Sequence, residues 1–215
     1  LESAIQKRVV NDAETLQAFA RTAVEQAAMG DGIALIRAHR AAAASELDEL
    51  VRIDQRVYAR KLSVETRSMS VRMGKKFAEM GAEVIGAPLL KAWLERIACG
   101  KTPGCYPVSL AVNFAVQGLP ARDAFVVHQY GVASMILSAA LRLMKISHVD
   151  TQRVLYQLDT GADAACELGA LGGEFGQRRG QFAEQAFGRG QRRFGFGHAF
   201  VHAGALFDAR LDLFL

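Results

Sequence analysis

Three cysteines in 215 residues, odd in number and without Cys-x-x-Cys or Cys/His finger spacing, indicate neither a disulfide framework nor a zinc module. Cys99, Cys105 and Cys166 therefore suit a reducing cytoplasm. Strand signals are nearly missing as well, because few segments alternate β-branched and polar residues. No charged start leads into an apolar run: Leu1-Glu2 is followed by Lys7-Arg8, so no secretory signal is expected. The one candidate membrane span, Phe125 to Leu141, has 17 residues without a formal charge. It falls short of the roughly 20 apolar residues a span requires. It also contains His128, Gln129, Tyr130, Ser134 and Ser138, which suit a central helix enclosed by other helices.

What is abundant points the same way. Apolar residues make up 51% and charged residues 22%, with a mean hydropathy of +0.10, which excludes a disordered chain. A chain of this length can bury roughly 70% of the surface it exposes when unfolded, enough for one domain with a large core.

Apolar residues recur at helical spacing in one segment after another, so the fold is expected to be all-α, a single-domain multi-helix bundle. Asn11, with Glu14 three residues on, is placed to cap a first clear helix that ends at Gly30, and Asp31 to cap the next. Ser45 with Asp48 would open a third helix, and Ser63 a fourth. The fourth would present Met69, Met73, Phe77 and Met80 on one side before Gly81 stops it. Pro88 suits the first turn of a fifth, packed through Leu89, Leu90, Trp93, Leu94 and Ile97. After a loop from Cys99 to Pro107, one helix is expected from Val108 to Gln117 and a long one from Pro120 to Met144. Asp150 or Thr151 would cap the last.

Beyond Gly161 the composition changes. Eleven of the 20 Gly and eight of the 12 Phe lie there, with no Lys and no Ile, so residues 161–215 read as a divergent C-terminal extension, an irregular Gly/Phe-rich tail. Six Arg balance six acids in it, which leaves the net charge of +4 to the helical domain at 1–160.

Motifs for chemistry are few. Gly100-Lys101-Thr102 looks like the end of a phosphate-binding loop, but that motif needs glycine where Glu95 stands, and the segment follows a helix instead of a strand. His198 and His202, at i and i+4, are candidate metal ligands, set against the plainer reading of solvent-exposed histidines because no acid stands between them. His39, His128 and His148 stand alone and read as structural. No Gly-x-Ser-x-Gly elbow occurs, so an enzyme is not expected, and no cleft with convergent titratable groups is foreseen. Between Arg52 and Lys76, eight basic residues face only Asp54 and Glu65. Arg52, Arg56 and Arg60 form a positive stripe at i, i+4 spacing. The stripe reads as solvated helix faces or as a docking surface for an acidic protein; nucleic acid ranks last, because Tyr58 is the sole aromatic among these charges.

Five pieces in a fixed order add to this reading. They are Leu1-Glu2; Glu65-Thr66-Arg67 with Arg72-Met73-Gly74-Lys75-Lys76-Phe77; Tyr106-Pro107-Val108-Ser109-Leu110; Gly118-Leu119-Pro120; and Arg142-Leu143 with Gln152 after the next turn. Together, over residues 1–158, the chain resembles the urease accessory protein family UreF. It departs from the family at Lys145, Ser147 and His148, where Pro, Gly and Gln are common. The resemblance implies a cytoplasmic, all-helical, non-enzymatic protein that forms a homodimer. It further implies binding to UreD (also called UreH) and recruitment of the GTPase UreG to apo-urease for nickel insertion. Nickel and GTP would be handled by those partners, with no cofactor on this chain, no membrane and no nucleic acid. Glu65, Arg67, Arg72, Lys75, Lys76 and Gln152 are the residues expected at the partner interface. The rival reading is a helical metal-binding or regulatory protein unrelated to urease.

Overall fold

The computed structural model describes residues 1–159, and the tail at 161–215, with His198 and His202, lies outside them. Among the described residues there are nine α-helices and no strand. They are α1 (Glu2–Gln6), α2 (Ala13–Ala27), α3 (Ile33–Ala43), α4 (Leu47–Arg60), α5 (Val64–Val84), α6 (Pro88–Ala98), α7 (Tyr106–Val116), α8 (Ala121–Leu143) and α9 (His148–Asp159). The all-α expectation holds, and the helices from Ser63, Pro88 and Pro120 begin where their caps place them.

Several boundaries differ, each for a local reason. Asp12, not Asn11, caps α2: its carboxylate accepts from the Thr15 N–H at 2.9 Å, and Thr15 returns the bond, so Thr15 takes the role expected of Glu14. Gly30 does not end α2, and Asp31 caps nothing. Residues Ala28–Gly32 form a π-helical turn that carries the chain without a break into α3. Ser45 closes α3 rather than opening α4. It sits at φ +58°, its N–H reaching Ala42 O and that of Glu46 reaching Ala41 O, the paired bonds of a Schellman end. The cap of α9 is Ser147, whose hydroxyl accepts from the Asp150 N–H at 3.1 Å while its own N–H donates to the Asp150 carboxylate.

The enclosed helix is the 11-residue α7, not α8. Every residue from Pro107 to Phe114 is buried, packed by α3, α5, α6 and α8. A helix apolar on all sides belongs in such a place. Its two polar positions are satisfied internally: Ser109 Oγ accepts from Trp93 Nε1 at 3.1 Å, and Asn113 Nδ2 donates to Ser109 O at 2.8 Å. By length and composition α8 could cross a membrane, yet one side of it is buried in the bundle through Ala124, Phe125, His128, Ala133, Leu137 and Ala140.

Two apolar clusters result. The larger joins α3 to α8 around Leu35, Leu50, Trp93, Leu110 and Phe125. The smaller joins α1, α2, α8 and α9 around Leu16, Val24, Leu137, Val154 and Leu158.

Candidate functional site

The buried side of α5 is not the methionine face expected from spacing. Ser70, Gly74, Ala78 and Gly81 are buried instead, and α7 packs closely along them. A Cβ on Gly74 would strike Gly104 O and the backbone of Cys105 and Tyr106; one on Gly81 would strike the Asn113 amide. Gly81 is therefore a contact residue inside the helix, and the stop comes at Gly86, φ +70°. With small residues turned inward, Met69, Phe77 and Met80 are only partly covered and Met73 is exposed.

The turn after α6 faces that outward side. Gly100, φ +74°, ends α6, with its N–H bonded to Ile97 O and that of Lys101 to Arg96 O. The Gly-Lys-Thr string is thus a helix end, not a phosphate loop. Asp54 of α4, wholly buried, then holds the turn: Thr102 Oγ1 and Gly104 N–H donate to Oδ2, both at 2.6 Å, and Cys105 N–H donates to Oδ1 at 2.7 Å. Burial pushes the Asp54 carboxyl above its ordinary range, while these three donors pull it back.

Between α5 and this turn lies an open groove of about 1200 Å³. Tyr58, Met69, Val71, Met73, Ile97 and Pro103 supply apolar walls, and Arg72, Lys75, Lys76 and Glu79 stand along it. Three of the expected interface residues therefore come together. The others do not join them. Glu65 is exposed at the start of α5, accepting from Ser63 Oγ at 2.6 Å, a bond that lowers its carboxyl below the usual range. Arg67 is turned inward and acts structurally: Nε and Nη2 donate to Lys61 O at 3.1 and 2.8 Å, and the guanidinium lies 5.1 Å from the Tyr58 ring centre. Gln152 is exposed on α9, whose packing is against α2 and α8. Arg52, Arg56 and Arg60 are exposed on α4, with Arg52 paired to Glu49.

A second constellation escaped the sequence reading. Lys61 Nζ meets Asp31 Oδ2 at 2.7 Å, and the same oxygen lies 3.9 Å from Nε2 of buried His128. His128 stacks on Tyr106 at 6.0 Å, and Tyr106 meets Phe77 edge to face. Burial lowers His128 to about 4, so the ring is neutral at pH 7; it raises Tyr106 to about 12. These titratable groups converge within the packed helices and do not line the groove described above. Burial, reinforced by the Asp54 carboxylate, pushes the Cys105 thiol far up, so it is no nucleophile. Among the described residues no three His, Cys, Asp or Glu side chains are grouped to hold a metal ion. His39 bonds Leu119 O through Nε2 at 2.7 Å, a structural contact.

The UreF family model matches residues 10–159. Proteins described as urease accessory protein UreF from Yersinia enterocolitica, Yersinia pseudotuberculosis and Yersinia pestis are each 48% identical to it over 172 residues. Those residues cover 80% of this chain and 75% of each relative.

Proposed function

The chain belongs to the UreF family and serves urease maturation, and from that premise we propose that it acts as a non-enzymatic scaffold. With UreD/UreH it recruits the GTPase UreG to apo-urease, so that nickel enters the active site. Nickel and GTP are carried by the partners, the scaffold is a homodimer, and it works in the cytoplasm. The observation that carries this reading is identity at nearly half of all positions across four-fifths of the chain. The outward, charge-rimmed α5 groove supports it, since a scaffold acts through apolar patches with polar rims. An unrelated metal-binding protein, the rival, loses its footing with the family match.

Co-expression with UreD, UreG and the urease subunits, followed by size-exclusion chromatography and nickel analysis of the urease, tests the proposal. Co-elution of this chain with UreD and UreG is expected, as is nickel-poor urease when it is left out. Urease equally loaded without it would refute the scaffold role. Charge reversal at Arg72 and Lys75 is expected to weaken UreG recruitment; unchanged recruitment would remove these residues from the interface.

A further inference from the structure

We propose that the groove between α5 and the 99–105 turn receives an amphipathic helix with an acidic flank, presented by a partner protein. This rests on the reading of α5 as a partner surface and adds the chemistry of what docks there.

Three features select this occupant. First, most of the lining comes from α4, α5 and α6, whose main-chain groups are bonded within their helices, so these walls offer side chains to an occupant. In the turn, Gly100 N–H is bonded to Ile97 O and Pro103 has no N–H, and beside the lining Gly104 and Cys105 N–H are taken by Asp54 and Lys101 O accepts from Gln55 Nε2 at 3.0 Å. An extended peptide needs such bonds or a free strand edge, and none of the described residues forms a strand. A helix satisfies its own backbone and needs only side-chain contact. A volume of about 1200 Å³ holds roughly two to three turns of a helix about 10 Å across.

Second, the lining residues repeat along α5 at helical spacing. Met69, Met73 and Lys76 lie along one row, with Arg72, Lys75 and Glu79 beside it. Unbranched methionines adapt to varied apolar partners, which suits the receiving side of helix-in-groove docking.

Third, the charge is one-sided. Glu79 is engaged by Lys76 at 2.9 Å, whereas Arg72 and Lys75 carry no ion pair among the described residues. Two cations beside an apolar strip call for an acidic flank on the helix that covers it. Nucleic acid is disfavoured, because the one aromatic in the lining, Tyr58, is already covered by Arg67.

The test uses the full chain and a dye-labelled, helix-forming peptide with Leu at i, i+3, i+4 and i+7 and Glu on its flanks. Fluorescence anisotropy is compared with a scrambled peptide of equal composition and with a Lys-flanked one. The acidic amphipathic peptide is expected to bind, and both controls to bind at least about tenfold more weakly. Met73→Glu on the exposed groove wall and Arg72→Glu with Lys75→Glu should each lower binding by about the same factor, with circular dichroism showing an intact fold. Equal binding of the scrambled peptide, or no loss in Met73→Glu, overturns the proposal. The same variants co-expressed with UreD and UreG separate the two readings. Loss of the complex on charge reversal alone, without peptide binding, leaves a partner surface and removes the helix. Peptide binding that depends on the groove, beside an undisturbed complex, keeps the helix and removes the assignment to urease partners.

Discussion

The two apolar clusters are built on different terms. The one around Leu16, Val24, Leu137 and Val154 has an aliphatic buried centre, with Phe19 and Met144 at its edge, and needs only that α2, α8 and α9 present their apolar sides to one another. The one around Trp93, Leu110 and Phe125 is threaded with polar groups: Asp54, Ser109, Asn113 and His128 are all buried beside it. Aliphatic contact tolerates small shifts, whereas a buried carboxylate with three donors fixes positions to a few tenths of an ångström. The polar cluster also lies behind the groove. Stability and the shape of the groove are therefore set by the same contacts on that side of the molecule.

The sharpest way to break this contrast is at glycine. Gly74→Ala should cost about 3 kcal/mol or more, because backbone rather than a movable side chain opposes the new methyl. Urea unfolding would read this as a lowered midpoint, and an unchanged midpoint would deny the close α5–α7 approach.

Acid titration separates the regions next. The folded-state value of His128, about 4, lies below its ordinary 6.5, so the folded protein holds fewer protons and stability is lost as pH falls through that window. The loss attributable to this ring is about 3 kcal/mol. His128→Phe keeps a ring against Tyr106 and should flatten the pH 4–6.5 dependence measured by urea titration; an equally steep slope in the variant would contradict the buried neutral imidazole. Asp54 works in the opposite sense: with its carboxyl raised by burial, its contribution falls as pH climbs from 3.8 through the raised value.

Asp54→Asn should cost about 2 kcal/mol, since an amide offers the turn one acceptor where a carboxylate offers two. Hydrogen exchange should quicken first at Gly104 and Cys105. If those amides stay protected, another group holds the turn. The smallest effect belongs to Gly131→Ala on α8, where a Cβ meets nothing. It should stabilise by up to about 1 kcal/mol, and a loss of stability there would show that this side of α8 is more closely packed than the contacts indicate.

Legibility in the sequence followed the same division. The Ser63 cap, Pro88 and the Pro120 start are local signals, and each was readable; the loop after Cys99 was read two residues too long, because Pro107 lies in the first turn of α7, which begins at Tyr106, not Val108. Gly81 was misread as a stop because its reason is Asn113, 32 positions away. Gly-Lys-Thr gave no hint that Thr102 serves Asp54. Of the interface residues inferred from family likeness, Arg72, Lys75 and Lys76 meet at the groove, while Arg67 turns inward to Lys61 and Gln152 stands on another helix.

The run of residues alone determined nearly all of the helices and the family, because caps, apolar spacing and short ordered motifs act over a few positions of chain. Only the tertiary structure decided which polar groups are buried together. Asp31 meets Lys61 and faces His128, and Asp54 meets Thr102, across 30, 97 and 48 positions. Such pairings depend on how helices pack in three dimensions, and no local pattern encodes them.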